Sequence, residues 1–202
     1  SFANSFSINF SAGADVSAVS LNNIGKFEFV YGAGVSYTFG RNWLLRTGYY
    51  EVKKAYGAKP SDYNPPAEFW NYYPYLKKID AACKIAEIPI IVDYIIQNKP
   101  RYNFSASAGM SSYFMKQETY NYHSKNPSGQ YQQKSYTINN ENKHYFSSLR
   151  LSAGYERKFN QRISLITEPY INVPVSGIGY GKVKLNGVGV LMTVNVKPFS
   201  QK

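Results

Sequence analysis

The stretch KFEFVYGAGVSYTFGRNWLLRTGYYEVKKAY, residues 26–56, decides what kind of fold this chain builds. From residue 27 every second position is apolar: Phe27, Phe29, Tyr31, Ala33, Val35, Tyr37 and Phe39. Between them lie Glu28, Val30, Gly32, Gly34, Ser36 and Thr38. A period of two is the signature of a β-strand with two unlike faces. Gly40-Arg41-Asn42 then supplies a tight reversal, and a second strand starts at Trp43. In a soluble sandwich the apolar face turns inward and the charges outward. Here the polar face also carries the glycines, which suits a narrow interior, so the fold reads as inside out. A soluble, lipocalin-like barrel shares the alternation, since alternation alone does not say which face is inside.

Working outward from this hairpin, the same pattern gives eight strands, at residues 6–18, 27–39, 43–55, 76–96, 102–122, 145–159, 163–173 and 183–196. Their connections alternate between short and long. Residues 40–42, 97–101 and 160–162 are tight turns, whereas 19–26, 56–75, 123–144 and 174–182 are longer and polar, Tyr-rich or Gly-rich. An even number of antiparallel strands with turns at one end and loops at the other is the pattern of a transmembrane β-barrel, whose turns are periplasmic and loops extracellular. The expected fold is all-β: one eight-stranded antiparallel up-and-down transmembrane barrel spanning residues 1–202. Lipid cannot satisfy an open strand edge, so strands one and eight must pair and both termini lie in the periplasm. The last strand runs toward Phe199, a terminal aromatic of the kind used as a barrel insertion signal.

Composition supports the same class. A chain of 202 residues suits one domain, and 20 Tyr against 2 Trp with frequent Gly favours strands and turns. No apolar run reaches the length of a membrane-spanning helix. Cys83 is the single cysteine, which excludes an internal disulfide and a cysteine metal cluster and leaves it as a small hydrophobe. Aromatic rings gather at the strand ends: Phe39, Trp43, Tyr94, Tyr102, Tyr155 and Phe159 by the short turns, Phe27, Tyr49 and Tyr50 nearer the loops, as in outer-membrane girdles.

The net charge of +11 calls for an anionic partner. Lys53, Lys54, Lys77, Lys78, Lys84, Lys116, Lys182 and Lys184 gather where strands meet the long loops. They read as a rim that contacts lipopolysaccharide phosphates, or equally as a charged edge that resists sheet aggregation. Nucleic-acid binding needs basic and aromatic residues interleaved on one surface. These residues form end rings instead, so no nucleic-acid partner is expected.

Two strands carry charges amid apolar runs: KIAEIPIIVDYII, residues 84–96, and ISLITEPYINVP, residues 163–174. Strand parity puts Arg46, Glu87, Asp93, Arg150, Glu156, Lys158 and Glu168 inside the barrel, where they should pair as a structural network. Glu87 and Glu168 read alternatively as a hydrolytic carboxylate pair, but that chemistry needs an open cleft, which a plugged lumen lacks. Pro89 and Pro169 each delete a ladder donor, so a bulge or frayed bond is expected at both. His123 and His144 bracket the third long loop and could meet at its base, though two histidines make a weak metal site. No nucleophile motif, phosphate loop or metal-ligand spacing occurs, so no catalytic, cofactor or metal site is expected.

Several segments also resemble the Bacteroidota outer-membrane β-barrel (porin-like) family. They are residues 30–56, the EIPI of 87–90, SASAGMSSYFMKQETY of 105–120, LSAGYERKF of 151–159 and EPYINVPVSGIGYGKVKLNGVGV of 168–190. The resemblance implies a small outer-membrane barrel without catalytic residues, which in some relatives is the C-terminal part of a longer chain. The expected function is a non-enzymatic anchor or interaction module. Its partners would be outer-membrane lipid, lipopolysaccharide and another envelope protein met by loops 56–75 and 123–144. The alternative is a small channel or hydrophobic-ligand carrier.

Overall fold

A computed structural model describes residues 5–19 and 24–198 of the chain. Its strands are β1 (Ser5–Ala18), β2 (Ile24–Phe39), β3 (Trp43–Ala58), β4 (Leu76–Asn98), β5 (Tyr102–Lys125), β6 (Tyr131–Asn139), β7 (Lys143–Lys158), β8 (Ile163–Pro174) and β9 (Asn186–Val196). One short helix, α1 (Phe69–Tyr72), sits in the connection from β3 to β4. Every pairing is antiparallel. Neighbours run in chain order from β1 to β5, pass to β7, β8 and β9, and return to β1, which closes an eight-stranded barrel. The closing seam is long, with Ile8 opposite Val196 and Ala18 opposite Asn186. Phe199 lies outside the described residues.

The ninth strand corrects the sequence reading of residues 123–144 as a loop. β5 pairs with β7 from Tyr102 to Phe114, then with β6 from Gln117 to Lys125. The segment is therefore a hairpin that rises past the barrel wall. Its turn is held by the Asn126 side chain, which accepts the Gln130 amide hydrogen at 2.8 Å, and by Gly129 at φ 83°. The run YQQKSYTIN is polar and lacks the two-residue alternation of the barrel segments, so it reads as a loop; its strand formers are Tyr131, Tyr136, Thr137 and Ile138. The last strand also starts later than the sequence suggests, because Ile178 and Val183 form an isolated bridge around a turn first.

Along the ring, apolar side chains point outward. Phe10, Val35, Leu45, Ile90, Leu151 and Val190 are exposed, while Ser7, Asn9, Ser11, Ser36, Ser107 and Thr193 are buried in the lumen. The rule reverses at the loop end. There Tyr63 and Phe69 from the β3–β4 connection pack with Ile79, Met115, Tyr120 and Val183 in an ordinary apolar core, which Cys83 joins. Tyr63 and Tyr122 share a hydroxyl hydrogen bond of 2.8 Å, and Asn64 N donates to Gly181 O at 2.7 Å, tying two connections into one cap. Burial pushes the Tyr63 hydroxyl well above its ordinary range. Tyr50, expected in the outer girdle, instead faces inward, packed with Val30, Val52, Tyr170 and Leu191. It is an even-numbered residue of β3, like Arg46, and strand parity overrides its aromatic character.

Both prolines fray the ladder without bulging it. Pairing of β4 with β3 lapses at Ile88 and Pro89 and resumes in unchanged register at Glu87 opposite Tyr50. Pairing of β8 with β7 lapses at Glu168 and Pro169 and resumes at Thr167 opposite Tyr155. On their other flanks both prolines remain paired, Pro89 with Ser111 and Pro169 with Val190. Each proline thus loses bonding only on the side its missing N–H would have served.

Glycine has a specific use at position 189. A Cβ there would stand 2.4 Å from the Tyr170 ring, so its absence lets the ring lie against β9 and carry its hydroxyl to Asp15. Gly189→Ala should therefore displace Tyr170 and destabilise the barrel by about 1–3 kcal/mol. Denaturant titration in detergent would show this, with the variant midpoint below that of the parent.

Candidate functional site

The lumen holds three groups of paired charges. Arg46 on β3 is the most heavily bonded. It donates Nε to Asp93 Oδ2 and Nη2 to Asp93 Oδ1, both at 2.7 Å. It also donates Nη1 to Glu168 Oε2 at 2.8 Å and Nη2 to Glu168 Oε1 at 2.9 Å. One guanidinium thus makes two fork-like contacts and joins β3 to β4 and to β8, the geometry that favours Arg over Lys. Ser107 donates to Asp93, and Ser152 donates to Glu168 at 2.6 Å. The carboxylates are buried, with Glu168 only 1% exposed, so these hydrogen bonds replace the water each would otherwise hold.

Arg150 on β7 forms the second group. Its Nη2 donates to Glu87 Oε1 at 3.0 Å, its Nε donates to Asn172 at 3.1 Å, and its guanidinium lies 4.3 Å over the Tyr170 ring. The third group pairs Lys54 with Asp15 at 2.9 Å, with Ser17 bonded to both and Tyr170 donating to Asp15 at 2.9 Å. The sequence expectation places Lys54 in the basic rim. The structure instead buries it at 4% exposure, because Lys53 and Lys54 are consecutive on a strand and must face opposite sides. Asp15 was missed, although strand parity alone puts it with Ser7, Asn9 and Ser11.

The remaining charges sit at the ends. Glu156 accepts from Asn103 at 2.7 Å and from Ser164 at 2.5 Å, and Lys158 bonds Asn98 and the Lys99 carbonyl near the β4–β5 turn. A polar cavity of about 440 Å³ opens at this turn end, lined by Asn9, Ser36, Asn103 and Glu156 and reaching Arg46. At the loop end Glu118, buried and also missed, accepts from Tyr120, Asn142 and the Tyr180 amide. Polar partners surround it although no cation pairs with it among the described residues.

The two histidines do not come together. His123 lies 3.0 Å from Asp80, whereas His144 Nε2 accepts the Gly179 amide hydrogen at 2.8 Å. Among the described residues no group of three His, Cys, Asp or Glu is arranged to hold a metal. On the outer surface Lys53, Lys77, Lys78, Lys84, Lys182 and Lys184 are exposed. Lys53 and Lys84 stand directly opposite each other on β3 and β4. Lys116, at the register shift of β5 beside Lys84, turns to Glu51, and Lys78 pairs with Asp80 at 2.9 Å.

Arg46→Met should cost about 3–5 kcal/mol in denaturant unfolding, since it leaves two buried carboxylates without their cation. Glu168→Gln should cost less, because Arg46 keeps Asp93; equal losses would contradict the assignment of Arg46 as the shared centre.

No protein-family model matches this chain, and no curated protein sequence matches it. Among solved structures it is similar to Neisserial surface protein A (NspA), with a TM-score of 0.56 and 12% identity, covering 96% of this chain and 99% of that one. It aligns with Ail, the attachment invasion locus protein of Yersinia pestis, at a TM-score of 0.49 and 12% identity, over 96% of each chain. The outer membrane protease OmpT of Escherichia coli aligns at a TM-score of 0.40 and 7% identity, over 96% of this chain and 95% of that one. At such identities the likeness to NspA concerns the fold: this chain is a closed eight-stranded antiparallel barrel of the type found in small outer-membrane proteins.

Proposed function

We propose that this chain is a single-domain integral outer-membrane barrel that works as a non-enzymatic anchor or interaction module. The observation that carries this reading is the lumen, crossed by Arg46 with Asp93 and Glu168 and by Arg150 with Glu87. Mutually neutralised side chains cross the lumen beyond the turn-end cavity that reaches Arg46, which blocks a continuous pathway and leaves Glu87 and Glu168 no open cleft in which to act on a substrate. The outward apolar face supports a bilayer as its solvent, with Trp43 and Tyr94 in edge contact at 4.9 Å near the short-turn end. In this reading the short turns and both termini are periplasmic, and the resemblance to the Bacteroidota porin-like family is retained.

Partner contact falls to the loop end. Tyr72, Tyr75, Tyr131 and Tyr136 are exposed there, and amphipathic aromatic side chains supply contact area at low entropic cost. The unsupported Lys53–Lys84 pair is unfavourable by itself, since like charges directly opposite repel. A lipopolysaccharide phosphate bridging the two would relieve that repulsion, and the other exposed rim lysines fit the same leaflet. The partner at the loops is another envelope protein.

Two measurements test this reading. In planar bilayers the parent chain should pass almost no current, and a steady open conductance would favour the channel alternative. Val190→Arg, in the middle of the outward face, should cost about 2–4 kcal/mol in lipid vesicles; a chain that is soluble without detergent would overturn the membrane assignment.

A further inference from the structure

The short-turn end carries a second basic feature on the opposite side of the molecule from the lysine rim. A recess of about 730 Å³ lies between the β4–β5 and β7–β8 turns, and its lining includes Arg101, Arg157, Lys158, Arg162 and Lys197. Backbone bonds hold these cations close. Lys158 N donates to Arg101 O at 2.9 Å, and Lys197 N donates to Arg162 O at 2.8 Å, so four of the five come as two like-charged pairs. The single carboxylate in the lining, Glu156, is already engaged by Asn103 and Ser164. Among the described residues none of the five forms a salt bridge. Glu156 faces Lys158 and offsets part of this charge, and the other four cations have no ion-pair partner among the described residues.

The same recess has an apolar side. Phe159 and Ile163 line it where it meets the outward face, and they are 63% and 41% exposed. A ligand that fills it must be anionic at one end and apolar at the other. From this geometry we infer that the recess binds the phosphodiester headgroup of an anionic phospholipid. The guanidinium groups of Arg101 and Arg162 would contact the phosphate oxygens, and the acyl chains would run over Phe159 and Ile163. Guanidinium suits this role because its planar donors match phosphate oxygens in pairs. The inference rests on the reading that the barrel spans a membrane with its short turns at a phospholipid leaflet.

The test uses the whole chain, purified and delipidated in an uncharged detergent, with bound lipid counted by native mass spectrometry. Phosphatidylglycerol should be retained in clear preference to phosphatidylcholine. The double variant Arg101→Gln, Arg162→Gln should weaken phosphatidylglycerol binding by roughly thirtyfold. The control Lys134→Gln, Lys143→Gln, two exposed loop-end lysines outside the rim, should leave that binding unchanged. Equal retention of the two lipids, or an equal loss in the control pair, would overturn the inference. So would displacement of the lipid by millimolar inorganic phosphate, which would mark a free-ion site, or equally tight binding of a hexaglutamate peptide with the same variant dependence, which would mark a protein partner. A barrel that needs detergent yet retains no anionic lipid defeats this inference alone, whereas a chain soluble without detergent defeats the membrane reading beneath it.

Discussion

An eight-stranded barrel encloses a space about as wide as the side chains that fill it, and an inward charge must find its partners inside. That constraint governs what β1 to β9 place on their inner faces. Small hydroxyl and amide residues line most of the lumen; the charges of its middle section are met by opposite charges, while Glu156 and Glu118 toward its ends are held by neutral donors. Arg46 shows the constraint at its strongest, since one side chain satisfies Asp93 and Glu168 together. Removing water from charges is costly, and only dense bonding offsets it. The network is thus a consequence of closure and narrowness, which makes a structural role for Glu168 a simpler account than an active site.

Much of this was legible in the residues because a strand offers only two directions. The alternation of residues 27–39 assigned outward and inward faces, and the same parity put Arg46, Glu87, Asp93, Arg150 and Glu168 on the lumen side. The errors came where residue type was allowed to override parity. The ring of Tyr50 suggests a girdle and the charge of Lys54 a rim; both are even-numbered on the strand that carries Arg46. Asp15 could have been found by the same count; Glu118 could not, because the register shift in β5 between Met115 and Gln117 turns the even positions Glu118, Tyr120 and Tyr122 inward.

What was not legible is of another kind. The hairpin of β5 and β6 has a polar sequence, and nothing local distinguishes a strand that extends past a barrel from a solvated loop. The change from an inside-out wall to an ordinary apolar core at the loop end depends on contacts between connections distant in sequence, such as Tyr63 with Tyr122 and Asn64 with Gly181. The exact pairing of charges was equally hidden, since parity names the occupants of the lumen and leaves their distances open.

The two prolines give the barrel a division of its own. Ladder bonding thins at the β3–β4 seam beside Pro89 and at the β7–β8 seam beside Pro169, which parts the wall into an arc of β4, β5 and β7 and an arc of β8, β9, β1, β2 and β3. Side chains stitch both seams from within. Arg46 reaches from β3 to Asp93 on β4, and Thr47 donates to the Pro89 carbonyl at 2.8 Å. Arg150 reaches from β7 to Asn172 on β8, and Ser152 reaches Glu168 across the same seam. Two staves riveted along their weaker joints make a cylinder whose roundness is held by its contents as much as by its wall.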